Sequence, residues 1–265
     1  VGLPDTINVS TTDTSIKGLV LYDARLAPEQ VRLGMPGVYQ HPSWDDAGNL
    51  GPVAVDGAGN IYTAPSPQIS LLDNPPERAN VVYKVDSASG VMAPLVDLPW
   101  AAPQTKTNPY GILGIAFDCD TDSLYVSTVA GSTFQGEVGR IYWLRAADGQ
   151  ILDQIDNVDA MGLAVYNGAT GKRLYFGPAR LPEVGSLALD DQGSFANDRR
   201  TDLTLTGAGS QLDLRARRIS FPPQSAEMVV RGIEFYYNLV AMSEIPQATF
   251  RFLYDPVTDG WTGIE

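Results

Sequence analysis

The sequence predicts an all-β chain, a single propeller of four-stranded antiparallel blades. Three observations carry this reading. A unit of four short strands recurs at a period of roughly 45–60 residues, a spacing that belongs to stacked or circular arrays. The connections between apolar runs are short and end in Gly, Asn or Asp, the residues that tolerate turn conformations. Gly 26 and Pro 19 are both raised in a chain of 265 residues, as a fold with many turns requires.

The unit is clearest over residues 111–155. Gly114-Ile115-Ala116-Phe117-Asp118 and Leu124-Tyr125-Val126-Ser127 read as one hairpin, joined by a polar turn. Arg140-Ile141-Tyr142-Trp143-Leu144 and the run Gln150 to Ile155 read as a second, turned at Asp148-Gly149. The first hairpin recurs over 51–63 and 162–176, and in worn form over 218–230. The second recurs over 81–90, 185–193 and 249–260, and 18–23 opens a further copy. Five copies of the second hairpin against four of the first give five blades by direct count, with six left open. Ala54, Ala116 and Ala164 match in every clear copy and are expected near the crowded axis, where a taper favours small side chains.

Residues 17–265 are expected to form the propeller domain. Residues 1–16 stand apart as a polar N-terminal segment with a candidate edge strand at 6–9. The copy opening at 18 has no partner hairpin upstream. Its missing strands are expected from the C-terminus, which would close the ring and remove two free sheet edges, or in compressed form from residues 1–16.

A net charge of −13 repels a phosphate backbone and argues against nucleic-acid binding. The acidity is spread over turns and reads as a solubilising surface. One cysteine, Cys119, rules out an intrachain disulfide, and one Cys with one His cannot supply a zinc ligand set. His41 is the only histidine, and no G-x-S-x-G elbow accompanies it, so a Ser-His-Asp triad has no support. Gly207-Ala208-Gly209-Ser210 lacks the Lys-Ser/Thr of a phosphate loop and reads as a turn. No apolar run is long enough for a membrane span. The Thr/Ser/Asp stretch 10–15 resembles the polar tether that follows a removed export signal, so a secreted or periplasmic location is expected.

Binding usually sits on long loops of a rigid scaffold, which selects 36–50, 65–80, 99–110 and 239–248. Tyr62, Tyr83, Tyr125, Tyr142 and Tyr175 repeat at strand positions and are expected in the core. Trp44, Trp100 and Tyr110 fall in loops, where they could stack on a sugar, anchor a partner or pack locally.

The hairpins 51–63, 114–127 and 162–176 share a pattern: a small residue, alternating apolar residues, a turn in Gly, Asn or Asp, and an apolar-Tyr-apolar strand. In this they resemble the NHL-repeat and SMP-30/gluconolactonase-like propellers. The lactonase branch implies a divalent cation, usually calcium, at the channel mouth, with an Asn directly before the Gly that opens an inner strand. Here Leu113 precedes Gly114 and Met161 precedes Gly162, and neither is a hard oxygen ligand. The nearest oxygen donors are Asn49, Asn108, Asn157, Asp159 and Asp213. Asn49, Asn108, Asp159 and Asp213 are therefore expected around a common mouth, with Met161 among its apolar neighbours. Such a funnel suits a small ligand and gives calcium at most a weak site, so no cofactor is expected. The expected function is a ligand- or protein-binding scaffold module whose partner is a small molecule, carbohydrate or protein. The alternative is a calcium-type hydrolase of the lactonase kind.

Overall fold

A computed structural model describes residues 6–12, 14–67, 69–103, 105, 107–205, 213–239 and 246–264. The expected turn at 207–210 and most of the loop at 239–248 lie outside them. The fold is an all-β propeller of five blades. The first blade holds three strands, β1 (Ile7–Ser10), β2 (Val20–Asp23) and β3 (Val38–Tyr39). The second is β4 (Leu50–Val55), β5 (Ile61–Pro65), β6 (Val81–Val85) and β7 (Met92–Asp97). The third is β8 (Ile112–Asp118), β9 (Ser123–Thr128), β10 (Arg140–Arg145) and β11 (Ile151–Asp156). The fourth is β12 (Ala160–Gly168), β13 (Gly171–Pro178), β14 (Glu183–Leu189) and β15 (Phe195–Thr204). The fifth is β16 (Arg215–Ser220), β17 (Glu227–Ile233), β18 (Gln247–Asp255) and β19 (Gly260–Ile264). Each is an antiparallel meander in chain order, with β4, β8, β12 and β16 innermost.

The C-terminal strands do not complete the first blade. β18 and β19 pair within the fifth blade, and β1 supplies the strand beside β2. The compressed alternative at residues 1–16 is the one the fold uses. β1 is hard to see in sequence because its four residues, INVS, alternate polar and apolar and are half exposed.

Alternation along each innermost strand divides the core between neighbouring blades. Val53 packs into the interface of blades one and two, and Ala54 into that of two and three. Ile115 and Ala116 do the same one blade on, as do Leu163 and Ala164. The three alanines are thus equivalent, as expected, and stand opposite Tyr62, Tyr125 and Tyr175. Their place differs from the expectation. They are small because a buried tyrosine lies against them across the blade face, while the channel is lined by the residues one position earlier. Ala116→Leu should cost about 1–3 kcal/mol by overpacking this tyrosine layer. An unchanged urea midpoint would show that the interface yields without strain.

Buried apolar clusters join blades one to two, two to three, three to four and four to five. None among the described residues joins five to one. The far side of blade one is covered by its own loop, where Ile16, Leu26 and Val31 pack on Val20, Tyr22 and Val38. The far side of blade five is bare: Arg218, Ser220, Arg231, Thr249, Arg251 and Leu253 are exposed, while Ile219, Met228, Val230, Phe250 and Phe252 on the other face are buried.

The joint of blades four and five also carries a polar pin. Asp259 accepts from Thr170 Oγ1 at 2.6 Å, Tyr254 OH at 2.6 Å and Arg200 at 2.9 Å. Burial pushes its carboxyl up, but these donors outweigh burial and hold it at about 2. The folded value lies below that of the unfolded chain. The resulting stability, about 2 kcal/mol, is therefore present above pH 4 and lost as pH falls towards 2. Asp259→Asn should flatten the acid limb of a stability profile between pH 4 and 2 and leave the neutral limb parallel.

Candidate functional site: a cationic axial cavity

Neighbouring innermost strands come close where β8 and β12 carry glycine at their third positions, Gly114 and Gly162. A Cβ on Gly114 would lie 2.1 Å from Met161 O, and one on Gly162 3.1 Å from Ala216 O. Below this tight collar the strands enclose a cavity of about 840 Å³. Its apolar wall includes Val53, Ile115 and Leu163 from successive blades. Thr12 of the first blade and Ser220 and Arg231 of the fifth line the same space, so it reaches the bare flank between those blades.

Three arginines are among the residues that line the cavity. Arg217 reaches from blade five to blade three, where its Nη1 donates to Leu113 O at 2.6 Å. Its Nη2 lies 3.9 Å from where a Cβ on Gly51 of blade two would stand. Burial, with the like charge of Arg218 beside it, lowers its pKa to about 10. Arg218 and Arg231 lie directly opposite one another on β16 and β17 and both line the cavity. None of the three has an ion pair, and no carboxylate lines the cavity among the described residues.

Above the collar, Tyr110, Leu113, Val129, Met161 and Ala179 form an apolar floor. The segment after β17 crosses it, laying Phe235 and Tyr237 on it, with the Tyr110 and Phe235 rings 5.4 Å apart. Tyr237 donates to Asp159, which is 1 % exposed and also accepts from Ser132 Oγ at 2.5 Å, Gly139 N at 2.9 Å and Arg180 at 3.2 Å. Burial, reinforced by the Asp159 hydrogen bond, pushes the Tyr237 hydroxyl well above the usual phenol range.

Of the residues singled out from sequence, Asn49, Asn108, Asp159 and Asp213 each precede an innermost strand, β4, β8, β12 and β16 in turn. Asn108 is fully buried and spends its side chain on Val129 O, Ser132 O and Tyr110 N. It meets Asp159 at Ser132, and Met161 lies in the floor with Tyr110. Asn49 is half-buried, its backbone N–H held by Asn74 Oδ1 at 2.9 Å. Asp213 is exposed and pairs with Arg215 at 2.5 Å. None of these five lines the cavity itself. Trp44 is buried between blades one and two, with its indole N–H on Gly90 O at 2.8 Å. Trp100 is half-buried, and His41 caps a short turn through Ser43. No three His, Cys, Asp or Glu side chains among the described residues are grouped to hold a metal.

The three arginines of the cavity were missed in sequence, although a signal was present. The run Arg215-Ala216-Arg217-Arg218 places three of only 18 Lys+Arg in four residues, on an innermost strand of a chain with net charge −13.

No family model matches the chain, and no curated protein matches it by sequence. Solved structures share its fold. TolB from Acinetobacter baumannii is 12% identical with a TM-score of 0.53, covering 97% of this chain and 51% of its own. A putative 6-phosphogluconolactonase from Bacteroides uniformis is 13% identical at 0.52, covering 99% and 69%. A gluconolactonase from Xanthomonas campestris is 18% identical at 0.50, covering 85% and 64%. At these identities the likeness is one of fold, and propellers carry many unrelated activities. No helix of the described residues is long and apolar enough to cross a membrane.

Proposed function

We propose that the protein is a binding module that takes a small molecule into its axial cavity. The observation that carries this is the cavity itself: about 840 Å³, lined by apolar strand residues on one part and by arginines and neutral polar groups on the rest, and reached from the bare flank between blades five and one. That volume and make-up suit a small-ligand pocket. Asn49, Asn108, Asp159, Asp213 and Met161 lie outside that cavity, and in this reading they shape the strand starts around it and do not touch the ligand. The hydrolase alternative fits less well, since a calcium ion needs six to eight oxygens and the cavity presents guanidiniums instead. Calcium and EDTA should accordingly give thermal midpoints within about 1 °C of each other, because only a ligand of the native state shifts them.

The test uses three probes sharing one ring system: naphthoate, naphthalenemethanol and naphthylmethylammonium. At least one should raise the melting temperature saturably, and Ser220→Trp should abolish the effect by filling the opening from an exposed position. If none of the three stabilises the wild type, the module reading is wrong. An exported setting is also our proposal, motivated by the polar stretch 10–15; recovery of the native protein only from the cytoplasmic fraction would refute it.

A further inference from the structure

We infer that the cavity is an oxyanion site, taking a small molecule with a carboxylate or phosphate head on an apolar body. The inference rests on the binding-module reading and adds the chemical class of the ligand.

Three features point the same way. Arg217, Arg218 and Arg231 line one cavity in a protein of net charge −13, and none has an acidic partner among the described residues. Most arginines elsewhere are paired, among them Arg25 with Asp23, Arg140 with Asp156, Arg173 with Asp198 and Arg200 with Asp202 and Asp259, while Arg32, Arg78 and Arg199 are engaged by carbonyls or aromatic rings instead. What sets the cavity arginines apart is that three without a carboxylate partner among the described residues line one space.

The second feature is the strand register. Arg218 and Arg231 are cross-strand neighbours on one sheet face. Like charges set directly opposite destabilise a sheet. A third cation beside them, Arg217, is held by a neutral carbonyl, Leu113 O. An oxyanion between these groups would turn the repulsion into charge-assisted hydrogen bonds, for which the planar guanidinium fork is well shaped.

The third feature is the wall opposite. Val53, Ile115 and Leu163 give the body of the ligand an apolar surface to lie on, with Thr12, Ser220 and Gln247 as the neutral polar side chains of the lining. A metal cation is disfavoured at the same spot by the same three charges. Of the other places considered, the Asp159 cluster is internally satisfied, and the exposed Ile69, Leu71 and Leu72 show nothing of what would cover them.

Isothermal titration of the whole protein tests the inference. Naphthoate or naphthyl phosphate should bind at least tenfold more tightly than naphthalenemethanol, and naphthylmethylammonium should not bind. The two anions distinguish a carboxylate from a phosphate site. Affinity should fall as salt is raised, through screening of the arginines. The double variant Arg218→Gln, Arg231→Gln should bind the preferred anion at least tenfold more weakly. Its own melting temperature should be unchanged or higher, since a repulsive pair is gone. That opposition of signs separates a ligand site from a structural role. Equal binding of alcohol and anion, or full affinity in the double variant, would overturn the oxyanion assignment while leaving the binding module standing. Absence of binding by every probe would remove both.

Discussion

Asp159→Ala is expected to destabilise the protein by about 3–5 kcal/mol, the range for removing one partner of a buried charged network. The carboxylate is 1 % exposed and accepts from Ser132 Oγ, Gly139 N, Arg180 and Tyr237. Glu137 Oε1 accepts from its backbone N–H at 2.8 Å, and Ala179 N donates to its carbonyl at 2.7 Å. Alanine would leave the backbone anchors and strip the side-chain acceptor. Ser132, Gly139 and Tyr237 would then hold buried donors with no replacement, and each orphan costs desolvation that water no longer offsets. Arg180 would suffer less, since it also donates to Thr133 O and Phe134 O. Asp159→Asn keeps the shape and one acceptor oxygen, so it should lose less than the alanine variant. Urea midpoints for the two variants check the order. Equal midpoints would mean that the charge and its donors matter less than the space they fill. Tyr237→Phe removes only one donor and should sit nearer the wild type, with the segment over the channel mouth exchanging its amide hydrogens faster.

What was legible in the sequence followed from burial on both blade faces. Runs such as LYVST in β9 and ILGIAF in β8 are apolar or small on both sides, because each middle blade is sandwiched between neighbours. That continuous pattern, with its turn residues, is enough to place blades two to four. The fifth blade reads differently. EMVVRGI in β17 and QATFRFLYD in β18 alternate buried and exposed residues, the mark of a sheet with one free face. The alternation was visible, but its meaning depended on whether another blade followed, which no local pattern states. The first blade was obscured for the opposite reason, since β3 has two residues and a loop supplies its cover. At the site, Asn108 and Asp159 had the right residue types and position for ligands. A short polar side chain before a strand can equally peg a loop, and only its partners decide. Here both are committed to the loop 129–139. The arginines carried the opposite ambiguity: a cation on a strand is ordinary until its missing counter-charge is seen.

Gly114→Ala is expected to cost about 3 kcal/mol, the upper end of overpacking penalties, and to widen the collar above the cavity. The reason is steric and does not involve an unusual backbone angle. The added Cβ would stand 2.1 Å from Met161 O, 2.7 Å from Ser127 Oγ and 3.0 Å from Leu163 Cγ. The serine hydroxyl can rotate away, and the leucine can shift. Met161 O cannot, because it is backbone at the start of β12, and Met161 itself is packed in the floor with Tyr110 and Leu113. Relief therefore requires β8 and β12 to part. Parting them opens the interface where Ala116, Tyr125, Leu163 and Phe176 pack, and that lost contact is the larger share of the cost. The same movement carries Leu113 O away from the Arg217 guanidinium it anchors. Two readouts should then change together: the denaturation midpoint falls, and anion affinity in the cavity drops although no cavity arginine has been altered. Gly136→Ala serves as the control, since its nearest neighbour would be Thr133 Oγ1 at 3.6 Å, an ordinary contact. A Gly114→Ala variant as stable as this control would show that the innermost strands can slide apart without loss, and the close collar would have no part in holding the site.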